Sequence, residues 1–327
     1  MQAPAVSASG LTKRFGDVAA VRGIDLEIAA GEVFGFLGPN GAGKSTTINM
    51  LCTLVTPTAG TAKVGGFDVI RERDDVRRNI GLVFQDTTLD TYLSAERNLR
   101  LHAELYGVPR DLIDARTEQV LDMVGLWDRR ATKVAQYSGG MKRRLEIARG
   151  LLHSPRVLFL DEPTIGLDPQ TRASIWRYIA ELRAAEHITI FMTTHYMDEA
   201  EYCDRIAIID QGMLIALDTP AALKASVGED RVQIHTDDDA AALAALEATF
   251  GLPATMSDGA VTIRVAQGEQ FVPKLFAEFP MPIRSVSVSR PSLDDVFMSY
   301  TGSTIRDAEA GSGERMRRGA AIFGRAR

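Results

Sequence analysis

The stretch Gly38-Pro39-Asn40-Gly41-Ala42-Gly43-Lys44-Ser45-Thr46 constrains the chain more than any other. It follows the apolar run Val33-Phe34-Gly35-Phe36-Leu37 and precedes residues 47–54, whose apolar spacing predicts a helix. Strand, glycine-rich turn and helix in that order make a phosphate cradle. Glycines let the turn curl until consecutive N–H groups point inward, and the helix that opens at Lys44 adds its positive dipole end. In such a cradle Lys44 reaches the outer phosphates and the Ser45 hydroxyl is a ligand for Mg2+.

The rest of the first two hundred residues supplies the sheet that such a cradle needs. Val6 to Phe15 and Val18 to Ile28 alternate apolar and polar residues, which predicts two antiparallel strands ahead of the cradle. Phe15 ends the first of them, where its ring either stacks on a purine or packs as an ordinary half-buried strand residue. Ala62-Lys63-Val64 and Phe67-Asp68-Val69 read as a hairpin about Gly65-Gly66, and Ile80 to Phe84 as a strand ending at Gln85. From Ser94 to Leu152 the apolar spacing becomes helical. Val157-Leu158-Phe159-Leu160 lacks alternation, as expected of a strand covered on both faces, and runs into Asp161-Glu162-Pro163; a second such strand, Ile188 to Thr194, stops at His195.

Adjacent acids at the end of a buried strand are costly unless a ligand uses them. The cradle, Gln85, Asp161-Glu162 and His195 all fall at carboxyl ends of predicted strands, the edge at which an open parallel sheet binds its ligand. In that setting Asp161 binds Mg2+ through the ion's water shell. Glu162 takes a proton from the water attacking the terminal phosphate, and His195 contacts that phosphate.

Tyr137-Ser138-Gly139-Gly140-Met141, followed by a basic helix from Lys142 to Leu151, forms a second anion site at a helix N-terminus. One chain does not need two such sites for one triphosphate, so the second can serve a nucleotide held by another copy. With this motif in place, residues 5 to 225 resemble the nucleotide-binding subunits of ABC transporters. The resemblance implies a P-loop NTPase core of the α/β class, with an antiparallel β subdomain and a helical subdomain at about 90–152. It also implies two ATP molecules sandwiched between two copies, the P-loop of one facing Ser138, Gly139 and Gly140 of the other.

Residue by residue, Phe15 resembles the adenine-stacking aromatic and Gln85 the glutamine that senses Mg2+ and the membrane partner. Asp161 and Glu162 resemble the metal-binding and catalytic acids, Gly166-Leu167-Asp168 the loop that links the two sites, and His195 the switch histidine. Tyr137 and Met141 depart from the usual Leu and Gln of the second motif, and Phe15 from the usual Tyr, but the groups that would touch phosphate or stack remain.

Beyond the helix expected from Pro220 to near Gly228, a βαββαβ order fits a small ferredoxin-like α+β domain at 229–301, following a nucleotide-binding domain at 1–228. Regulation, self-association and simple stabilisation are all open to it. Pro291-Ser292-Leu293-Asp294-Asp295-Val296-Phe297, together with Ser138 to Met141, is similar to the daunorubicin-resistance type of exporter ATPase. That narrower resemblance implies efflux of a drug, antibiotic or other hydrophobic compound through a separate permease. An importer motor, or a soluble ATPase acting on nucleic acid or the ribosome, is the alternative; against the nucleic-acid reading, only about 110 residues separate Thr46 from Val157, without sustained heptads.

Bulk properties limit the remaining choices. The 327 residues are 45% hydrophobic and 24% charged, enough for a sizeable core and for two domains. A net charge of -6, from 43 acids and 37 bases, argues against a broad nucleic-acid face. Cys52 and Cys203 stand alone and read as reduced thiols. Met1 to Gly10 has no signal-peptide pattern, and no run approaches the roughly twenty apolar residues that cross a bilayer. The expected place is therefore the cytoplasmic face of a membrane, reached through the permease. The tail at 302–327, with Arg315, Arg317, Arg318, Arg325 and Arg327, is expected to be disordered, either solvated or weakly drawn to anionic lipid.

Overall fold

A computed structural model describes residues 3–257 and 260–301, so the expectation for the tail at 302–327 lies outside the described residues. Contacts divide the chain into two compact units that meet at Asp218 and Thr219. The expected boundary lay after Gly228; the division falls earlier because α8 (Pro220–Ser226) packs with α11 (Leu293–Thr301) of the second unit.

In the first unit, β1 (Val6–Phe15) and β2 (Val18–Ile28) pair antiparallel and continue through β4 (Ala59–Val64) to β5 (Phe67–Asp68), in the order β2-β1-β4-β5. A six-stranded sheet is built from β3 (Val33–Leu37), β6 (Ile80–Val83), β7 (Val157–Asp161), β8 (Thr189–Thr194), β9 (Arg205–Asp210) and β10 (Met213–Asp218), in the order β10-β9-β3-β8-β7-β6. All its pairings are parallel except that of β10 with β9.

Strands β3, β7 and most of β8 are apolar without alternation because both of their faces are covered. One of those faces meets the antiparallel sheet, and the core between them gathers Val6, Leu11, Ile24 and Ile28 with Phe34, Phe36, Phe159 and Phe191. The ring of Phe191 lies 5.4–5.6 Å from those of Phe34, Phe36 and Phe159. Burial of each such side chain contributes about 2–3 kcal/mol.

Register sets the functional edge. Leu37 pairs with Thr194, Thr193 with Asp161 and Leu160 with Val83, so four strands end side by side. The helices around the sheet are α1 (Lys44–Leu51), α2 (Arg73–Asn79), α3 (Ala95–Leu105), α4 (Arg110–Met123), α5 (Gly139–Leu151), α6 (Pro169–Glu186) and α7 (Met197–Ala200). Sequence reasoning left α2, α6 and α7 unassigned.

The second unit contains β11 (Asp230–Thr236), α9 (Asp239–Phe250), β12 (Ala254–Ser257), β13 (Ala260–Val265), α10 (Gly268–Glu278) and β14 (Ile283–Ser289), followed by α11. Its sheet is antiparallel in the order β12-β13-β11-β14, the arrangement of a ferredoxin-like sandwich. Val232, Ile234, Val261, Ile263, Leu246 and Leu275 are among its buried core residues. Among the described residues no helix is long and apolar enough to cross a membrane.

Candidate active site at the sheet edge

The cradle lies between β3 and α1. Gly43 precedes α1 at φ 110°, and a Cβ there would stand 2.6 Å from the Ala20 carbonyl oxygen; at Gly38 it would stand 2.3 Å from that of Ile209. Neither position has room for a side chain. Gly41, at φ 83°, meets nothing within 4 Å, which leaves its peptide open on the ligand side. Pro39 and Ala42 are buried, while Asn40 lies exposed at the tip of the turn. No side chain caps α1, so its leading N–H groups, including those of Ser45 and Thr46, are available to an anion.

Lys44 is 5% exposed. Its Nζ donates to the carbonyls of Gly38 (2.7 Å) and Pro39 (3.2 Å) and lies 3.2 Å from Glu162 Oε1. Ser45 Oγ donates to Asp161 Oδ1 at 3.3 Å, and Thr193 Oγ1 donates to the same oxygen at 2.5 Å. Hydroxyl and carboxylate oxygens side by side are the donor set that suits Mg2+. Among the described residues no group of three or more His, Cys, Asp or Glu could hold a metal alone, so a cation here must complete its shell with phosphate and water.

Glu162 is buried and sits at φ 45°, a left-handed conformation that costs a non-glycine residue about 1–2 kcal/mol. Its N–H donates to Thr193 Oγ1 at 3.0 Å. His195 Nδ1 lies 3.3 Å from Glu162 Oε1, though off the line of a hydrogen bond, while Oε2 is buried with no protein partner. Burial pushes this carboxyl up, but the His195 and Lys44 contacts outweigh it and hold the group below the usual carboxylate range. The site therefore contains an ionised carboxylate with one oxygen open to accept a proton.

Gln85 lies exposed just past β6. Ser138, Gly139 and Gly140 form a second group with Asp168. Ser138 caps α5 by accepting from Met141 N at 3.3 Å; Asp168 caps α6, both of its oxygens being taken by Thr171. A Cβ on Gly140 would stand 2.5 Å from Thr171 Cγ2, so the two helix N-termini meet where only glycine fits. Phe15 is 52% exposed at the end of β1, with Lys13 Nζ 4.9 Å from its ring centre, which leaves a face free for stacking.

Of the buried charged residues that escaped the sequence reading, Glu199 and Arg143 bind the backbone or side chains next to the acids and His195. Glu199, on α7, accepts hydrogen bonds from Thr164 Oγ1 and from Thr194 Oγ1 (2.6 Å), tying the segment after Glu162 to the one before His195; burial raises its carboxyl above the usual range. Arg143, on α5, binds the carbonyls of Phe84, Asp161 (3.0 Å) and Pro163 (2.6 Å). In the sequence Glu199 belongs to an acidic run and Arg143 to a basic one, and neither run says which member turns inward.

Comparison with known proteins agrees with this geometry. The ABC transporter family model matches residues 21–165, and that for the C-terminal domain of DrrA1-3-like ATP-binding proteins matches residues 219–301. The chain is 40% identical over 314 residues to the daunorubicin resistance ATP-binding protein DrrA3 of Streptomyces coeruleorubidus, covering 94% of this chain and 98% of that one. It is 37% identical to the linearmycin resistance ATP-binding protein LnrL of Bacillus subtilis, covering 92% of this chain and all of that one. Among solved structures, cbiO1 of Clostridium perfringens, part of the transporter complex cbiONQ, superposes with a TM-score of 0.64 at 30% identity, over 68% of this chain and 92% of that one. The dimeric cassette MJ0796, bound to ADP and Pi in a post-hydrolysis state, gives 0.59 at 29% identity, over 65% of this chain and 98% of that one. A phosphate cradle facing an ionised carboxylate, in a chain this close to ATP-binding resistance proteins along nearly its whole length, belongs to an ATP-hydrolysing subunit of the ABC transporter family.

Proposed function

We propose that the chain is the motor of a membrane exporter, in which two copies close on two molecules of Mg-ATP and transmit the closure to a separately encoded permease. The carrying observation is the pairing of Lys44 with Glu162 at the sheet edge, with Glu162 Oε2 left unpartnered. The P-loop N–H groups from Gly41 to Thr46 and the Lys44 ammonium bind the phosphates, and Phe15 stacks on the adenine. Ser45 and Asp161, with Gln85 at the rim, would hold Mg2+, whose charge offsets that of the phosphates. His195 holds the attacking water against the terminal phosphate. Glu162 Oε2 takes the water's proton as the oxygen attacks phosphorus, and the bond to the bridging oxygen breaks to leave ADP and phosphate.

Ser138, Gly139 and Gly140 bind the terminal phosphate of the nucleotide held by the other copy, and Asp168 lies beside them to link the two sites. The names of DrrA3 and LnrL support an antibiotic or other hydrophobic compound as cargo. Residues 1–218 act as the motor, with the helices of 90–152 and the loop at Gln85 facing the permease, and the ferredoxin-like domain is an accessory. This places the chain at the cytoplasmic face of the membrane. The test is Ser138→Arg in the assembled transporter, which should abolish ATP hydrolysis and efflux together; unchanged hydrolysis would remove the cross-subunit site.

A further inference from the structure

The Arg143 guanidinium is buried and has three backbone carbonyls around it, although it lies on the helix that Ser138 caps. Its Nε donates to Pro163 O at 2.6 Å and its Nη2 to Asp161 O at 3.0 Å, so one planar group holds the carbonyls of the residues before and after Glu162. Its Nη1 donates to Phe84 O, the carbonyl immediately before Gln85, and to Glu146 Oε2 at 3.2 Å. Glu146, also buried, accepts Thr88 N–H through Oε1 at 2.8 Å, and Arg149 donates to Thr88 O at 3.0 Å. Three residues one turn apart on α5 thus grip the loop from Phe84 to Thr88, and one of them also grips the backbone of the base.

The left-handed backbone of Glu162 needs surroundings that determine it. Its own N–H has Thr193 and its carbonyl accepts from Ile165 N–H at 3.3 Å, while the carbonyls of its two neighbours, Asp161 and Pro163, both answer to Arg143. The five donors of arginine lie in a fixed fork, so three carbonyls bound to one guanidinium are fixed relative to one another; lysine, with one nitrogen, cannot reproduce the plane.

We propose that Arg143 is a positioning residue for hydrolysis: it fixes the Glu162 backbone and the Gln85 loop to one helix, so that engagement of the Ser138 end of that helix sets the base and the loop together. This rests on Glu162 being the base. Arg143 is buried with its donors on protein carbonyls and Glu146, away from the P-loop groups, so its effect belongs in turnover and not in nucleotide binding.

The test is steady-state ATP hydrolysis and nucleotide affinity of the full chain, for Arg143→Lys, Arg143→Met, Glu162→Gln and the double variant Arg143→Lys/Glu162→Gln. Arg143→Lys keeps a cation beside Glu146 and so preserves the fold even if Arg143→Met does not. For Arg143→Lys we expect kcat to fall about tenfold to a hundredfold, as misplacement of a reacting group produces. Its nucleotide Kd should stay within about twofold of wild type, because the P-loop is untouched, while its Tm should fall modestly as buried carbonyls lose a donor. In the Glu162→Gln background the same change should cost no further activity, since there is no base left to position. Wild-type turnover in Arg143→Lys would overturn the proposal, as would equal losses in kcat and affinity, or losses that multiply in the double variant. Failure of the underlying reading is separable: Glu162→Gln alone would then hydrolyse ATP at the wild-type rate.

Discussion

Glu162 and Lys44 are a buried ion pair whose members have different tasks, and single substitutions should separate them. Glu162→Gln keeps the size and the Lys44 contact but removes the base; nucleotide binding should persist while kcat falls about 10²- to 10⁴-fold, read by phosphate release. Lys44→Ala should instead raise the nucleotide Kd, checked by direct binding. The pH dependence follows from the same contacts. Because His195 and Lys44 hold the Glu162 carboxyl below its usual range, the base is already ionised at neutral pH and is lost only as pH falls through that lowered value. No acid limb of kcat near neutrality should trace to this group, and one that disappeared in Glu162→Gln would contradict the lowering of this carboxyl by Lys44 and His195. At this scale the motif residues were legible, because cradle and acids are local in sequence. Arg143 and Glu199 were not: their roles depend on carbonyls and hydroxyls that come together only when strands and helices meet.

Among the elements, α3 and α5 meet through an aromatic cluster in which Tyr106 stacks on His153 at 4.3 Å and lies tilted against His102 at 4.4 Å. His153 Nε2 donates to Ile80 O at 2.8 Å. Burial, helped by the charges of Arg149 and His153, pushes His102 down to about 3. The unfolded chain has an ordinary histidine there, near 6.5, so between those values it binds more protons than the folded chain. Stability from the neutral ring is complete above about pH 6.5 and is lost as pH falls toward 3. Thermal denaturation at pH 7 and pH 5 should show wild type losing more Tm on acidification than His102→Gln; equal losses would refute this. Ser138→Ala, which removes the cap of α5, should cost about 1 kcal/mol in denaturant unfolding. Strands were the legible elements because buried apolar runs announce themselves. Helix α2 buries only Val76 and has no apolar period to read. Helices α6 and α11 did carry signals, Asp168-Pro169 before Ile175, Trp176, Ile179 and Leu182, and Ser292 three residues before Asp295, which sequence reasoning took as loop and family motif instead.

At the scale of the whole molecule, the antiparallel sheet, the parallel sheet and the ferredoxin-like sandwich follow the order of strand patterns along the chain, because each sheet is built largely from neighbouring segments. The proposed association of two copies rests on an indirect signal in the sequence, a second anion site with no ligand of its own in a single chain. It is also the central claim, and the solution mass of Glu162→Gln with and without Mg-ATP tests it most directly. Two copies that close on nucleotide and cannot cleave it should give a species of twice the chain mass by light scattering, which Ser138→Arg in the same background returns to a single chain. A Glu162→Gln protein that binds ATP fully and remains a single chain at every concentration, in a preparation whose wild type hydrolyses ATP, would contradict the account.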